Sequence, residues 1–227
     1  RILMRIGIIV AMSKEMRLLT PMMAQHETRV ARGIEFHTGN IGSHEVVAMQ
    51  SGVGKVNAAI GSLTMIHEFA PQLIISTGVA GGANPAVNVM DIVVGTRVAY
   101  HDVYCGSDVQ RGAVQGMPLY YEAADVVSRM PNADDIHHGL ICSGDQFIDS
   151  IDEVNRIRGI FPEVLAVDME SSAIAQVCHV CDVPFVSVRV ISDSPGASHN
   201  NTRQYADFWE AAPTHNFEIL KTLIESV

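Results

Sequence analysis

The apolar positions of this chain fall into short blocks separated by polar and glycine-rich punctuation. MRIGIIV (4–10), QLIIST (72–77), DIVVGTRVAYH (91–101), LICS (140–143), LAV (165–167) and PFVSVRVI (184–191) are apolar on both parities and rich in β-branched residues. Such runs predict strands buried on both faces of a sheet. Between them, apolar residues recur every three or four positions. That spacing predicts helices over 14–19, 53–69, Ile151–Ile160 and Ser171–Val180, and a long terminal helix over 205–226, interrupted or restarted near Pro213. Residues 33–40 and His44–Gln50 alternate apolar and polar around Ile41-Gly42-Ser43, which predicts an antiparallel hairpin. Gly78-Val79-Ala80-Gly81-Gly82 reads as a tight turn after its strand, and residues 106–118 as a glycine-rich loop. Strands alternating with helices give an α/β class with a mixed, largely parallel sheet. With no repeat or linker, one domain over 1–227 is the simplest account.

Composition narrows the function. With 227 residues, 48% of them apolar and 18% charged, the chain has the makings of a substantial core. Its net charge of −10, without a Lys/Arg run, argues against nucleic-acid or anionic-membrane partners. No apolar run reaches the length of a membrane span. The start, RILMRIGIIVAMSKE, passes straight into charge without a small-residue cleavage site, so no signal peptide is expected. Met4 is a plausible start, with 1–3 either an upstream extension or a non-native remnant ahead of it. Four cysteines make no disulfide framework, and a cytoplasmic location is expected. Cys178 and Cys181 form a C-x-x-C, but no second ligand pair stands at zinc spacing and the motif ends a helical pattern.

The glycine motifs do not deliver a nucleotide cradle. SGVGKVN has Met49 and Val56 where a phosphate loop needs Gly and Ser or Thr. Asn57 breaks the dinucleotide fingerprint. The ten histidines are scattered without metal-ligand spacing, and no G-x-S-x-G elbow occurs. No cofactor or metal is called for.

What remains is carboxylate chemistry. Three apolar strands run into an acid: IIVAMSKE into Glu15, AVDME into Glu170 and VRVISD into Asp193. Each acid alone reads equally as a helix cap or a solvated charge. Together, they stand where strand C-termini line one edge of an α/β sheet and ligands bind.

In order along the chain, GIIVAMSKE, SGVGKVNAA, STGVAGG, SGDQFI, AVDMESSAIAQVC and PFVSVRVISD resemble the 5′-methylthioadenosine/S-adenosylhomocysteine nucleosidases of the purine nucleoside phosphorylase/uridine phosphorylase fold family. The resemblance runs from Met4 to the end. It implies a three-layer α/β/α domain and hydrolysis of an N-glycosidic bond to adenine. By resemblance, Asp193 is the general acid at adenine N7, and it is expected to be held above the ordinary Asp range. Glu15 positions and deprotonates the water. Glu170 holds the ribose hydroxyls, leaving Asp168 to cap the following helix. The resemblance also places Met169 and Met12 beside the ribose and Arg189 near the sugar. Phe147 and Ile148 frame the adenine. Val53 lines the alkylthio pocket, with Tyr205 or a neighbour as its lid. It implies a homodimer in which the 101–118 loop, with Tyr104 and Cys105, approaches the neighbouring site.

One departure stands out. Val79 occupies a position where the resemblance leads one to expect Ser, whose hydroxyl would orient the catalytic acid. Three rivals stay open: a nucleoside phosphorylase using Arg17 or Arg32 for phosphate, a futalosine hydrolase, and a silent nucleoside binder.

Overall fold

A computed structural model describes residues 3–195, 201–211 and 215–227. In chain order the elements are β1 (Arg5–Val10), α1 (Ser13–Leu19), β2 (Ala24–Ala31), β3 (Ile34–Ile41), β4 (His44–Gln50), α2 (Lys55–Phe69), β5 (Leu73–Gly82) and β6 (Ile92–Tyr100). There follow β7 (Tyr121–Glu122), β8 (Ile136–Ser143), α3 (Ile151–Ile160), β9 (Val164–Asp168), α4 (Ser171–Val180), β10 (Phe185–Asp193), α5 (Asn201–Ala211) and α6 (His215–Ser226).

Strand β1 shows why apolar runs on both parities matter. Ile6, Ile8 and Val10 join Leu19 of α1, Phe208 of α5, and Leu220, Leu223 and Ile224 of α6 in one core. Ile9 joins Ala58, Met65 and Phe69 of α2, and Ile174 of α4, in another. Gly7 carries no side chain, and a Cβ there would collide with Met65 Sδ. Helices thus cover both faces, and β1 lies parallel to both β4 and β5.

The sheet is mixed, as expected. β5 is its hub: it pairs in parallel with β1 and β10, and antiparallel with β9 through Gly81 and Gly82. The pairings β5–β10, β10–β6, β6–β8, β8–β9 and β9–β5 close a ring. From that ring β1, β4, β3 and β2 extend as an open sheet. Closure brings the C-terminal ends of β5, β9 and β10 together.

The structure corrects several expectations. The stretch 78–82 is not a turn, because β5 runs on through Gly82. Its glycines are there for closeness: a Cβ at Gly78 would strike Glu15 and Arg189, and one at Gly81 would crowd Val167. β2 was not anticipated; its sequence AQHETRVA is exposed over seven of its eight residues and holds its place by pairing with β3. The terminal segment forms two helices, and the interruption expected near Pro213 lies outside the described residues, as do residues 1–2 of the extension.

Ile74 lies near the start of β5, fully buried in the α2/α4 core. Ile74→Ala is expected to lower unfolding free energy by about 2–5 kcal/mol, measured by urea denaturation. A loss below about 1 kcal/mol would show that this core is not packed as described.

Candidate active site

Glu15 sits at the third position of α1, where a glutamate reaches back over the helix start. Its Oε2 accepts from the amides of Ala11 and Met12, both at 2.9 Å. Its Oε1 accepts from the amide of Val79 at 3.1 Å. The residue is 2% exposed. Burial pushes its carboxyl above the usual range, while Arg189 and the three amides pull the other way.

Glu170 stands between β9 and α4. Its Oε1 accepts from the amide of Gly54 at 2.9 Å, the residue that caps the start of α2. A 15-residue helix therefore aims its positive end at this carboxylate. Burial, reinforced by neighbouring Asp168, still raises Glu170 to about 7, against the opposing pull of Arg189 and the Gly54 amide.

Asp193 ends β10. Between Ile191 and Asp193 the register with β5 slips, so Ile191 faces Ala80 while Asp193 faces Gly81. Such a bulge re-aims side chains. Here the consecutive Ser192 and Asp193 both line the same cavity, and both are buried. Ser192 Oγ lies 2.6 Å from Asp193 Oδ1, to which it donates.

Behind these acids lies Arg189, 2% exposed. Its Nε donates to Asp168 Oδ2 at 2.8 Å, and its Nη2 donates to Ser76 at 2.7 Å and to Ser171 at 3.0 Å. Asp168 also accepts from Ser143 Oγ at 2.5 Å. The expectation that Asp168 caps α4 is met only loosely. Glu170 holds the cap position; Asp168 accepts from the Ser171 amide at 3.3 Å and more closely from the Ser171 hydroxyl, Arg189 and Ser143.

The acids open onto a cavity of about 230 Å³. Met12, Glu15, Val53, Val79, Phe147, Ile148, Met169, Glu170, Asp193 and Tyr205 all line it. Arg189 does not; it acts on the site through Asp168 and through its field on Glu15 and Glu170. Phe147 and Tyr205 meet edge to face with ring centroids 5.8 Å apart, and Tyr205 Oη donates to Met12 Sδ at 3.3 Å. The loop before Tyr205, over 196–200, lies outside the described residues. Ser192, Gln146 and the Gly54 amide were not foreseen. The amide has no side-chain signal, and Ser192 depends on the bulge.

Among the described residues, no lysine or arginine lines the cavity. Arg17 donates to the Ser13 carbonyl, and Arg32 pairs with Glu68 at 2.7 Å. No group of three or more His, Cys, Asp or Glu among the described residues is arranged to hold a metal ion. The cavity is thus largely apolar, lined by four carboxyl groups (Glu15, Asp168, Glu170 and Asp193) and wide enough for a small ligand. That arrangement suits proton transfer and stabilisation of a developing cation.

Residues 5–225 match the model of the phosphorylase superfamily. A 5′-methylthioadenosine/S-adenosylhomocysteine nucleosidase from Bacillus thuringiensis subsp. konkukian is 35% identical over 99% of this chain and 100% of its own length. The solved structure of such a nucleosidase from Streptococcus pneumoniae, with a transition-state inhibitor, superposes with a TM-score of 0.92. It has 33% identity and covers 98% of this chain and 99% of that one. The Neisseria meningitidis enzyme with methylthio-immucillin-A gives a TM-score of 0.91 at 33% identity, covering 99% of this chain and 100% of that one.

The raised Glu170 carboxyl has a consequence for stability. An acid whose folded pKa lies above its unfolded value of 4.5 favours the folded state at low pH. That contribution disappears as pH rises from 4.5 to about 7. Relative to wild type, Glu170→Gln is therefore expected to gain about 3 kcal/mol between pH 4 and pH 8. Urea denaturation of both proteins at the two pH values measures this, and parallel pH dependence would refute it.

Proposed function

The chain belongs to the phosphorylase superfamily and, within it, to the 5′-methylthioadenosine/S-adenosylhomocysteine nucleosidases, and from that premise we propose how its own residues cleave an adenine nucleoside. The reaction is hydrolysis of the N-glycosidic bond of 5′-methylthioadenosine and S-adenosylhomocysteine, giving adenine and a 5-substituted ribose. The observation that carries this reading is the convergence of three buried carboxylates, Glu15, Glu170 and Asp193, on one cavity whose described lining has no cation.

Each carboxylate takes one part. Asp193, oriented by Ser192, gives its proton to adenine N7, which turns the base into a leaving group. The ribosyl group then develops positive charge, and Glu170 holds its hydroxyls while the anionic surroundings stabilise the cation. Glu15 takes the proton of the attacking water; a carboxyl raised by burial is a better base than an exposed one. As in glycosidases with well-separated acids, the acid and the base act from different sides of the bond. Phe147 and Ile148 frame the adenine, with Met12 and Met169 beside the ribose. Val53 and Tyr205 enclose an apolar 5′ substituent.

Two of the rivals meet a physical obstacle. A phosphorylase must hold a phosphate, and a cavity bearing carboxylates without a lining cation repels one. A silent binder has no use for three buried acids, whose desolvation is costly.

We further propose that the chain works as one domain, in the cytoplasm, where its four free thiols persist, and returns thionucleosides to methionine salvage. We also propose a homodimer through α2 and α4. Val56, Ile60 and Leu63 form an exposed stripe on α2, and Val180 extends it on α4. The stripe leads to Val53 at the cavity, so a second copy seated there would bring its 101–118 loop toward this site.

Adenine release from 5′-methylthioadenosine is expected without phosphate. Glu15→Gln and Asp193→Asn should each lower kcat by roughly 10²- to 10⁴-fold. Strict dependence on phosphate would make the protein a phosphorylase instead, and near-full activity in either variant would remove that acid from the mechanism. For the dimer, Ile60→Asp should halve the particle mass in light scattering; a wild type already monomeric refutes the proposal.

A further inference from the structure

The loop over 144–150, between β8 and α3, carries Phe147 and Ile148 into the cavity, yet burial does little to hold it. Asp145, Gln146 and Phe147 are exposed, with Phe147 at 47%; Gly144 and Ile148 are the buried anchors. The polar contacts at its start are more specific. Asp145 Oδ1 accepts from the backbone amide of Lys55 at 2.7 Å. The Asp145 amide donates to Asp102 Oδ2 at 2.9 Å. Lys55 Nζ donates to both Asp102 oxygens, at 2.8 and 3.0 Å, and stands 3.9 Å from Asp145 Oδ2. Gly144 lies so close to Asp102 and His101 that a methyl group there would fall 2.9 Å from Asp102 Cγ and collide with the imidazole.

These contacts join two sides of the cavity. Gly54 and Lys55 are consecutive at the start of α2. The Gly54 amide holds Glu170, and the Lys55 amide holds Asp145. One helix start therefore anchors the sugar-side carboxylate and the loop that presents the aromatic frame. We propose that Lys55, Asp102 and Asp145 form a clamp that positions the 144–150 loop against Glu170, making them positioning residues for nucleoside binding. The inference rests on the proposed function only in taking Phe147 and Ile148 as the adenine frame.

The clamp differs from a stabilising ion pair. Lys55 and Asp102 side chains are each 24% exposed, and such pairs contribute little to global stability. Burial pushes the Asp102 carboxyl up, yet Lys55 and the Asp145 amide outweigh it and hold the carboxyl below its usual range. Asp102 is thus held as the carboxylate that accepts from Lys55, and the geometry they hold is worth more to a ligand than to the fold.

The test uses the full chain with Lys55→Met, Asp145→Ala, the double variant and Lys55→Arg. Hydrogen exchange across 144–150, with no ligand present, should speed up about tenfold in both single variants while β5 exchanges as before. KM for 5′-methylthioadenosine should rise roughly tenfold with kcat within about threefold, the double variant should be no worse than either single, and Lys55→Arg should restore most of the loss. Unchanged exchange in 144–150, additive effects, or kcat falling in step with KM would each overturn the clamp. Asp102→Asn, which keeps its shape, serves if Lys55→Met does not fold. Should wild type release no adenine, the nucleosidase reading falls, while the exchange measurement still decides the clamp.

Discussion

The site depends on one buried cation. Arg189 lies on β10 with its guanidinium bonded to Asp168, Ser76 and Ser171, and its field reaches Glu15 and Glu170. Four carboxylates, Glu15, Asp168, Glu170 and Asp193, are buried around it. One guanidinium cannot compensate four carboxylates in a low-dielectric interior, so protons must be retained somewhere. Asp168 has the direct bond. Glu15 and Glu170 lack it, and burial raises both carboxyls against the pull of Arg189. The raised carboxyls of Glu15 and Glu170 thus follow from burial, with a single arginine moderating both.

The ring closure of the sheet makes that arrangement possible. Arg189 pairs with Gly78 in the β10–β5 register, and Asp168 lies at the end of β9, which meets β5 at Gly81 and Gly82. In a flat open sheet the ends of β9 and β10 would not converge. The glycines of β5 let the convergence tighten: at Gly78, whose φ is +146°, a side chain would strike both Glu15 and Arg189. The energetic cost of burying these groups makes sense as function rather than stability, since a well-packed apolar replacement of an ion pair is often no less stable.

How much of this was legible in the sequence follows from which signals are local. Helices α3 and α4 were legible to the residue, because their starts carry local chemistry and their apolar faces repeat regularly; Ser150 caps α3 by accepting from the Glu153 amide. β2 was not, because an edge strand with seven exposed positions has no apolar pattern to read. The glycines after Thr77 mimic a turn, and only the partners on β9 and β10 show that they serve close packing. The three acids were legible as strand exits. The resemblance named Arg189 near the sugar but not its place behind the cavity: regular alternation would put it on one face with Asp193, and the bulge after Ile191 breaks that parity. Its place behind the cavity is a property of the register, not of the residue types.

The same bulge bears on Val79. The resemblance leads one to expect a serine there to orient the catalytic acid. In this chain Ser192, turned into the cavity with Asp193, donates to that acid at 2.6 Å. Position 79 contributes its backbone amide to Glu15 instead, a bond that any residue but proline can make. The isopropyl group of Val79 lines the cavity and offers Asp193 no hydrogen bond. Two carboxyls are thus held in different ways: Asp193 takes its hydrogen bond from Ser192, while Glu15 is held by backbone amides, with burial raising it and Arg189 opposing.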